Sequence, residues 1–347
     1  MKKVILSFDY ELFFGVRSGT VDESLIKPTN KLLDAMEMEG FRGSFFVDYL
    51  MLKYLKKENT ERTISDAQKI ECQLKEVLRR GHRIELHLHP HWVDAKYNGD
   101  GTWNYENFSH YSLNSLDIGT IAQMFEEGVC YLNNLARSVI PDYKVCAFRA
   151  GGWAVQPFDI LRKAFKKTGI CIDSSTAYGV YNTLPDSYYD FRNMPEKSYY
   201  RFEDDVCVEN EEGSFIEVPI TTYHRNRWCS LIHKFSQYIH KGYNDRLTDG
   251  THQRNDLPPV LPGNKLKNFL NPQRATMMMS FSQSNPYTIK YVMDHTSYEL
   301  YCFIDHPKDF SLATCDGIHK IGQGYSKSMT YYDIKNEIYK ERKYGQK

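Results

Sequence analysis

Short apolar runs and longer amphipathic stretches alternate along this sequence, and that alternation limits its fold more than any other feature. The runs are rich in β-branched and aromatic residues, as buried strands are, and the longer stretches repeat apolar residues at helical spacing. The pattern predicts seven strands, at Val4–Ser7, Ser44–Val47, Arg83–Leu86, Val145–Phe148, Ile170–Ile172, Phe215–Val218 and Leu300–Ile304. It predicts helices at Lys27–Glu39, Ile64–Arg79, Ile118–Ser138 and Phe158–Lys167, and a final one around Tyr331–Arg342. Strands that alternate with helices favour an α/β fold with a parallel barrel.

Chemically reactive side chains follow the carboxyl ends of these strands. They are Asp9 and Glu11 after the first strand, His87 and His91 after the third, Arg149 after the fourth, Asp173 after the fifth and His306 after the last. Active sites of parallel barrels are built from this end of the strands. We therefore expect these residues, which are far apart in sequence, to converge in space.

The densest group is the segment Glu85–Trp92, which places three histidines within five positions. Imidazole is the commonest protein ligand for zinc-like metals, so the segment predicts a metal site. The i,i+4 spacing of His87 and His91 puts both rings on one side of a helical turn, and His89 is then expected to point elsewhere. The other interpretation is an exposed polar loop that is rich in histidine.

Length, composition and charge further limit the classes of function that the protein can have. The 347 residues suit one large or two ordinary domains, and 44 acidic side chains balance 44 basic ones, so neither nucleic acid nor an anionic membrane surface is expected as the main partner. Aromatic residues make up 14% of the chain; flat rings suit stacking on sugars, but ordinary packing accounts for most of them.

The first apolar run is too short for a signal peptide and no run approaches a membrane span, which predicts a cytoplasmic protein without stable membrane insertion. Eight cysteines without a CxxC pair predict neither disulfides nor a thiolate zinc site.

Five segments resemble, in order, the motifs of the polysaccharide deacetylase family, the NodB-like carbohydrate esterases. They are Ser7-Phe8-Asp9-Tyr10-Glu11, His87 to His91, Phe148-Arg149-Ala150-Gly151-Gly152-Trp153, Ile172-Asp173-Ser174-Ser175 and Asp305-His306-Pro307. The second and third motifs are specific, whereas the fourth and fifth are short and weak alone. The resemblance covers roughly residues 1 to 312 and implies a distorted (β/α)₇ barrel. It also implies a hydrolase that removes an acetyl group from an N-acetylated sugar or glycan precursor with a divalent metal, zinc.

The first motif departs from the usual family pattern, in which two adjacent aspartates serve as base and metal ligand. Here Tyr10 follows Asp9, and alternation along a strand puts Asp9 and Glu11 on the same face. We therefore assign Asp9 as the base and Glu11, with His87 and His91, to the metal. The alternatives are that Asp9 itself binds the metal, or that the site works without metal on a cyclic amide or imide, as in allantoinase-like relatives. A catalytically silent carbohydrate-binding barrel is the third interpretation, and Tyr10 favours it.

The resemblance also implies roles for the residues around the metal. Arg149 pairs with Asp9, His306 protonates the departing amine, and Asp173 orients His306. The competing interpretations are a structural ion pair for Arg149 and a packed core position for His306.

Four residues are expected to line the substrate pocket. Gly151 and Gly152 let the backbone approach a ligand closely. Trp92 and Trp153 are expected to wall the sugar pocket.

Two further segments fall outside the motifs. Residues 223–297 form a polar stretch with turn signals at Pro258-Pro259, Pro262-Gly263 and Asn271-Pro272, which predicts an insertion that covers the barrel rim or contacts another subunit. The alternative interpretation is a surface loop with no direct role. The polar stretch starts with the basic group His224-Arg225-Asn226-Arg227. We expect this group either to meet a substrate phosphate or to form a solvated face. Residues 313–347 are predicted to be a peripheral tail, and a homo-oligomer is left open.

Overall fold

Seven parallel strands form the centre of the fold in the computed structural model, which describes residues 1–105, 107–184, 187–252, 276–323 and 326–345. They are β1 (Lys2–Tyr10), β2 (Gly43–Asp48), β3 (Arg83–Leu88), β4 (Ala147–Ala150), β5 (Ile172–Asp173), β6 (Phe215–Glu217) and β7 (Leu300–Asp305). Their order in space is β6-β5-β4-β3-β2-β1-β7. All seven predicted strands are confirmed.

Irregular backbone bridges the gap between β6 and β7. The Thr221 amide donates to the Cys302 carbonyl (3.0 Å), the Met279 amide to the Thr221 carbonyl (2.8 Å) and the Ile304 amide to the Met279 carbonyl (3.0 Å). A strand at Tyr200–Phe202 pairs antiparallel with β6, and another at Ser326–Met329 pairs parallel with β1. The sheet is therefore a distorted barrel of the predicted class.

Nine helices surround the barrel in the described part of the chain. They are α1 (Lys27–Met38), α2 (Tyr49–Glu58), α3 (Glu61–Arg79), α4 (Ile118–Arg137), α5 (Asp159–Thr168), α6 (Arg227–Ile239), α7 (Pro286–His295), α8 (Leu312–Gly322) and α9 (Tyr331–Gly345). The five predicted helices are confirmed. The pattern missed α2, because this helix follows β2 directly and is capped by the last strand residue, Asp48, which accepts from the Leu50 amide (3.2 Å).

Alternation along β1 separates two buried layers. Val4, Leu6, Phe8 and Tyr10 pack in the main hydrophobic core together with residues of the surrounding helices, whereas Ile5 belongs to a second cluster that includes buried residues from other strands. Ser7 and Asp9 lie on the same face as Ile5. This alternation points Asp9 into the barrel.

The tail was predicted to be peripheral, and this is wrong. Its strand Ser326–Met329 extends the sheet beside β1, and Tyr331 is completely buried in the cluster that contains Ile5. A short polar tail gives no sequence signal for this, because the pairing joins residues more than 300 positions apart.

The stretch predicted to be an insertion contributes its own elements. A strand at Thr222–His224 pairs antiparallel with Thr276–Met278, and α6 follows the first of these strands. Residues Leu247 to His252 then contact the loops after β1 and β7. The turn signals at Pro258-Pro259, Pro262-Gly263 and Asn271-Pro272 lie outside the described residues, and the domain boundaries stay a prediction.

Candidate active site

The carboxyl ends of β1, β3 and β4 bring the first group of predicted site residues together. Asp9 lies in β1 and Glu11 just beyond it, both on the inner face, and both are buried. Tyr10 between them points outward, where its hydroxyl donates to Oε1 of Gln73 on α3 (2.7 Å). The tyrosine that replaces the second aspartate of the usual motif is therefore a core residue, and Glu11 occupies the inward position instead.

Glu11 lies against two histidines. Its Oε2 is 3.0 Å from Nε2 of His87 and 2.8 Å from Nε2 of His89. One ligand atom from each of the three side chains lies within 4.8 Å of the others, and all three are buried. Two imidazole nitrogens and one carboxylate oxygen form a donor set that zinc commonly uses.

The hydrogen bonding of His87 tests whether this group fits a metal ion. Its Nδ1 lies 2.7 Å from the Arg149 carbonyl oxygen, which only accepts, so Nδ1 carries the hydrogen. A neutral His87 then directs the lone pair of Nε2 at the Glu11 carboxylate, and two acceptors at this distance need a positive charge between them. A proton supplies it when no metal is bound: burial opposes the charge, but Asp9 and Glu11 outweigh it and raise the pKa of His87 to about 9. The residues therefore fit a divalent ion.

His89 is the member of this group that the sequence interpretation misplaced. We expected His89 to point elsewhere, and this is wrong, because the backbone is extended through His89 (φ −116°, ψ 96°) and the helical turn begins only at Pro90. Alternation in extended backbone puts residues i and i+2, His87 and His89, on one side. The alternation of Glu85, His87 and His89 was the sequence signal for it.

His91 does not join the group. Its ring packs against Phe14 and Tyr105, with centroids 4.3 and 4.7 Å apart. Neither ring nitrogen has a hydrogen-bond partner among the described residues, although the side chain is completely buried. The ligand atoms that lie within 4.8 Å of one another belong to Glu11, His87 and His89, so the role of His91 as a ligand stays a prediction.

Arg149 holds Asp9, as predicted. Its Nη1 donates to Oδ1 of Asp9 (2.6 Å), and its Nη2 donates to the hydroxyls of Ser7 (2.8 Å) and Tyr331 (3.0 Å). Burial works against ionisation of Asp9, but the guanidinium, followed by His87, keeps its pKa below the usual value. Tyr331 was not predicted to have any role here, and no local pattern marks it.

His306 also reaches the site. Its Nε2 lies 3.6 Å from Oδ2 of Asp9 and 3.5 Å from Oε1 of Glu11, and 19% of its side chain is exposed. Nδ1 on the other side of the ring lies 3.5 Å from Oδ2 of Asp309. Burial, together with Lys308, lowers the pKa of His306. His306 is thus the most accessible of the convergent side chains.

Asp173 was expected to orient His306, and the described contacts place it elsewhere. Its carboxylate accepts from the amide (2.9 Å) and the hydroxyl (2.8 Å) of Ser175. It is the sheet neighbour of Glu217 on β6, and both carboxyl groups are buried. Burial raises the pKa of each, and Asp173 raises that of Glu217 further, so the protonated form of Glu217 is favoured. Asp309 takes the position that was assigned to Asp173.

Lys308 is a site residue that the sequence interpretation missed. Its Nζ lies 2.7 Å from Oε1 of Glu11 and 3.2 Å from the Leu12 carbonyl oxygen, and it sits 3.9 Å from the centroid of the Phe14 ring. The side chain is buried. A lysine in a turn gives no signal of burial, and only its position two residues after His306 pointed to this end of the barrel.

The two glycines are required by packing around His89. A Cβ on Gly151 would lie 2.5 Å from Nδ1 of His89, and a Cβ on Gly152, which has φ +59°, would lie 2.5 Å from the Tyr111 ring. Trp153 is half-buried, 6.0 Å from the Tyr189 ring. The glycines therefore let the loop after β4 close over the site.

Trp92 does not wall a pocket, which corrects the prediction. The side chain is completely buried, its Nε1 donates to Oδ2 of Asp48 (2.6 Å), and its ring packs against Trp103 at 5.2 Å. A residue with no exposed surface cannot touch a sugar. Its place in the turn Pro90–Asp94 rotates it toward α2 and away from the site.

The described segment before residue 253 covers this end of the barrel. The Asp249 carboxylate accepts from the Thr20 amide (2.9 Å) and the Ser24 hydroxyl (2.8 Å). His252 Nε2 lies 2.8 Å from Oδ1 of Asp309. The loops after β1 and β7 are thus tied together over the site.

Comparison with known proteins finds similarity in structure. No protein-family model and no curated protein sequence matches the chain. A Mycobacterium smegmatis protein assigned as a polysaccharide deacetylase is 13% identical, with a TM-score of 0.48 over 98% of this chain and 91% of that one. A 4-α-glucanotransferase from Thermococcus litoralis is 12% identical, with a TM-score of 0.46 over 97% of this chain but 40% of that one. The catalytic domain of the peptidoglycan N-acetylglucosamine deacetylase from Eubacterium rectale is 13% identical, with a TM-score of 0.37 over 95% and 89%.

Within the described ranges, no helix is both long enough and apolar enough to cross a membrane.

Proposed function

We propose that this protein is a metal-dependent hydrolase that removes the acetyl group from an N-acetylated sugar or glycan precursor. The observation that carries the proposal is the Glu11 carboxylate held against Nε2 of His87 and His89, beside an aspartate paired with a buried arginine. The five motifs that resemble polysaccharide deacetylases contain the same residues. Deacetylation adds water across the amide and yields acetate and a free amine.

The residues proposed to hold the ion, zinc, are Glu11, His87 and His89. A divalent ion bound there polarises an amide carbonyl and lowers the pKa of water. His87 is fixed for this role by its Nδ1 hydrogen bond to the Arg149 carbonyl, and Gly151 leaves room for the ring of His89.

Asp9 is the proposed base. Arg149 occupies its Oδ1 and favours the ionised form, so Oδ2 is the oxygen that takes a proton from the attacking water. His306 faces this oxygen from the partly exposed side of the site. It is placed to protonate the amine as the carbon–nitrogen bond breaks, with Asp309 near its other nitrogen.

The test is metal content and acetate release measured on the same preparations. We expect about one metal per chain in the wild type, a loss in Glu11→Ala and His89→Ala, and retention in His91→Ala and in the control His110→Ala, whose ring contacts Asp94 away from the cluster. Acetate release from N-acetylglucosamine oligomers should follow the metal. A wild type that binds no zinc on reconstitution and releases no acetate would exclude this function.

Lys308 favours a second candidate, a metal-independent amidohydrolase that acts on a cyclic amide or imide. Its ammonium group already places a positive charge 2.7 Å from Glu11, where a bound ion would otherwise supply it. This candidate predicts hydrolysis of hydantoin-type rings that survives a chelator. Acetate release that a chelator abolishes and zinc restores would rule it out.

A further inference from the structure

Helix α6 carries a stripe of large apolar side chains on its solvent side. The members of this apolar stripe are between 54% and 76% exposed: Trp228, Leu231, Phe235, Tyr238 and Ile239. Their spacing of three, four, three and one residues keeps them within about one third of the helix circumference. A contiguous patch of this kind on a protein surface marks an interaction site.

The orientation of α6 is the reverse of an ordinary surface helix. The positions that pack against the protein include Cys229 and Ser236, which are small and buried, and His233. Folding of this chain therefore buries the less apolar side of α6 and leaves the more apolar side in solvent. Core packing does not account for the apolar stripe.

Basic residues flank the stripe. Arg227 and Lys234 are seven residues apart, which places them on one edge of it, and Arg225 and Lys241 lie just outside the two ends of the helix. No Asp or Glu occurs in the sequence between Glu217 and Asp245. The chain as a whole has no net charge, so this excess of positive charge is local.

The helix lies at the same end of the barrel as the candidate active site. His233 accepts a hydrogen bond from Asn285 (3.2 Å), the residue that caps α7. Helix α7 leads back to the start of β7, so its own start lies at the carboxyl end of the strands. After α6 the chain continues to Asp249 and His252, which contact the loops over the site.

We propose that α6 binds an anionic membrane surface. A helix with Trp, Phe and Leu on one face and Lys and Arg beside them lies in the plane of the interface, with the apolar side chains below the headgroups and the cations on the lipid phosphates. A second copy of this chain fits less well, because a two-fold contact through the apolar stripe brings two identical basic edges together. The proposal goes beyond the proposed hydrolase function and does not depend on the metal site.

The test uses the full chain and vesicles of phosphatidylcholine alone or in equimolar mixture with phosphatidylglycerol. We expect flotation with the anionic vesicles only, and an effect of about fivefold in affinity for each basic residue removed from the edge. Raising NaCl from about 0.05 to 0.5 M should release the protein. Of the four tryptophans, Trp92 and Trp103 are buried, Trp153 is half-buried and Trp228 is 66% exposed, so Trp228 should give most of the blue shift of fluorescence on binding.

Two double variants distinguish binding through the apolar stripe from non-specific binding through exposed aromatic rings. Trp228→Ala with Phe235→Ala should weaken vesicle binding by about 100-fold, because each ring is worth tenfold or more at the interface. The matched control Tyr181→Ala with Tyr188→Ala also removes two exposed aromatic rings and should bind as the wild type does. Equal midpoints of thermal unfolding establish that both variants are folded.

Three results would overturn the proposal. They are equal binding to neutral and anionic vesicles, no binding to either, and concentration-dependent self-association without vesicle binding that the Trp228→Ala and Phe235→Ala pair abolishes. The last would assign the apolar stripe to a second copy of the chain.

Discussion

The Nζ atom of Lys308 lies 2.7 Å from Oε1 of Glu11, and neither side chain is more than 2% exposed. The other oxygen of the carboxylate faces Nε2 of His87 and His89. Glu11 is therefore the centre of the buried charge in the site, with a fixed cation on one side and the candidate metal position on the other. A buried ion pair of this kind is tolerated only while both partners are present, because the loss of one weakens the compensation of the other charge.

Lys308→Met should lower the free energy of unfolding by about 2 to 3 kcal/mol, because it removes one of the two cations that compensate the buried Glu11 carboxylate and leaves protonated His87 as the other. The double variant Lys308→Met with Glu11→Gln removes both charges and should recover most of that loss. Urea denaturation in the presence of a chelator measures both. A single variant that loses less than about 1 kcal/mol would mean that the pair is not a closed ion pair in solution.

Much of the fold was predictable because strand and helix periodicities are local. The seven strands and the five helices that the pattern predicted are present, and the rule that active sites lie at the carboxyl ends of parallel strands brought Asp9, Glu11 and His306 together correctly in space. The pairing of Arg149 with Asp9 came from the resemblance to the deacetylase motifs, and the two side chains are in contact.

The errors concern contacts that depend on backbone geometry or on distant segments. His89 was misplaced because helical spacing was applied to backbone that stays extended through this residue. Tyr331 and Lys308 were missed because nothing near them in sequence indicates burial. Asp173 was assigned to orient His306 because the sequence does not show that Glu217 lies beside it in the sheet. Each of these follows from tertiary packing and not from a local pattern.

The Asp173 and Glu217 pair predicts a pH dependence of stability. A carboxyl group whose pKa is raised in the folded protein contributes stability below its unfolded pKa, 4.5 for glutamate, and loses that contribution as the pH rises toward the folded value. Glu217→Gln keeps a neutral side chain, so it should match the wild type near pH 4.5 and exceed its unfolding free energy at pH 8 by about 1 kcal/mol or more. Urea denaturation across this range measures the difference.

Glu203 supplies a control of opposite sign for that experiment. Hydrogen bonds from Lys166 and Ser214 lower its pKa to about 2, so its contribution is present above the unfolded pKa and is lost in acid. Glu203→Gln should therefore be less stable than the wild type at pH 8 and approach it toward pH 2. If Glu217→Gln behaved in the same way, the raised pKa of Glu217 would be refuted.

Tyr331 is predicted to position Arg149 from the far side of the barrel. Tyr331→Phe removes the hydroxyl that accepts from Nη2 of Arg149 (3.0 Å) and should cost about 1 kcal/mol of stability. The guanidinium then holds Asp9 less firmly, so the acid limb of the pH profile of kcat/KM should move to higher pH. A matched variant is Tyr332→Phe, because this neighbouring ring is 41% exposed and lies outside the network. An unchanged acid limb in Tyr331→Phe would leave Tyr331 a structural residue only.

Gly151 distinguishes between His89 and His91 as the second histidine ligand. A Cβ at this position would lie 2.5 Å from Nδ1 of His89 and 2.6 Å from the Leu88 carbonyl oxygen, so Gly151→Ala must displace the His89 ring. Loss of ring orientation should weaken zinc binding about 10- to 100-fold, as measured by competition with a chromogenic chelator. Gly119→Ala, whose added methyl group meets only the flexible carboxylate of Asp117, should bind zinc as the wild type does. If His91 were the ligand and His89 were not, Gly151→Ala would leave zinc affinity unchanged.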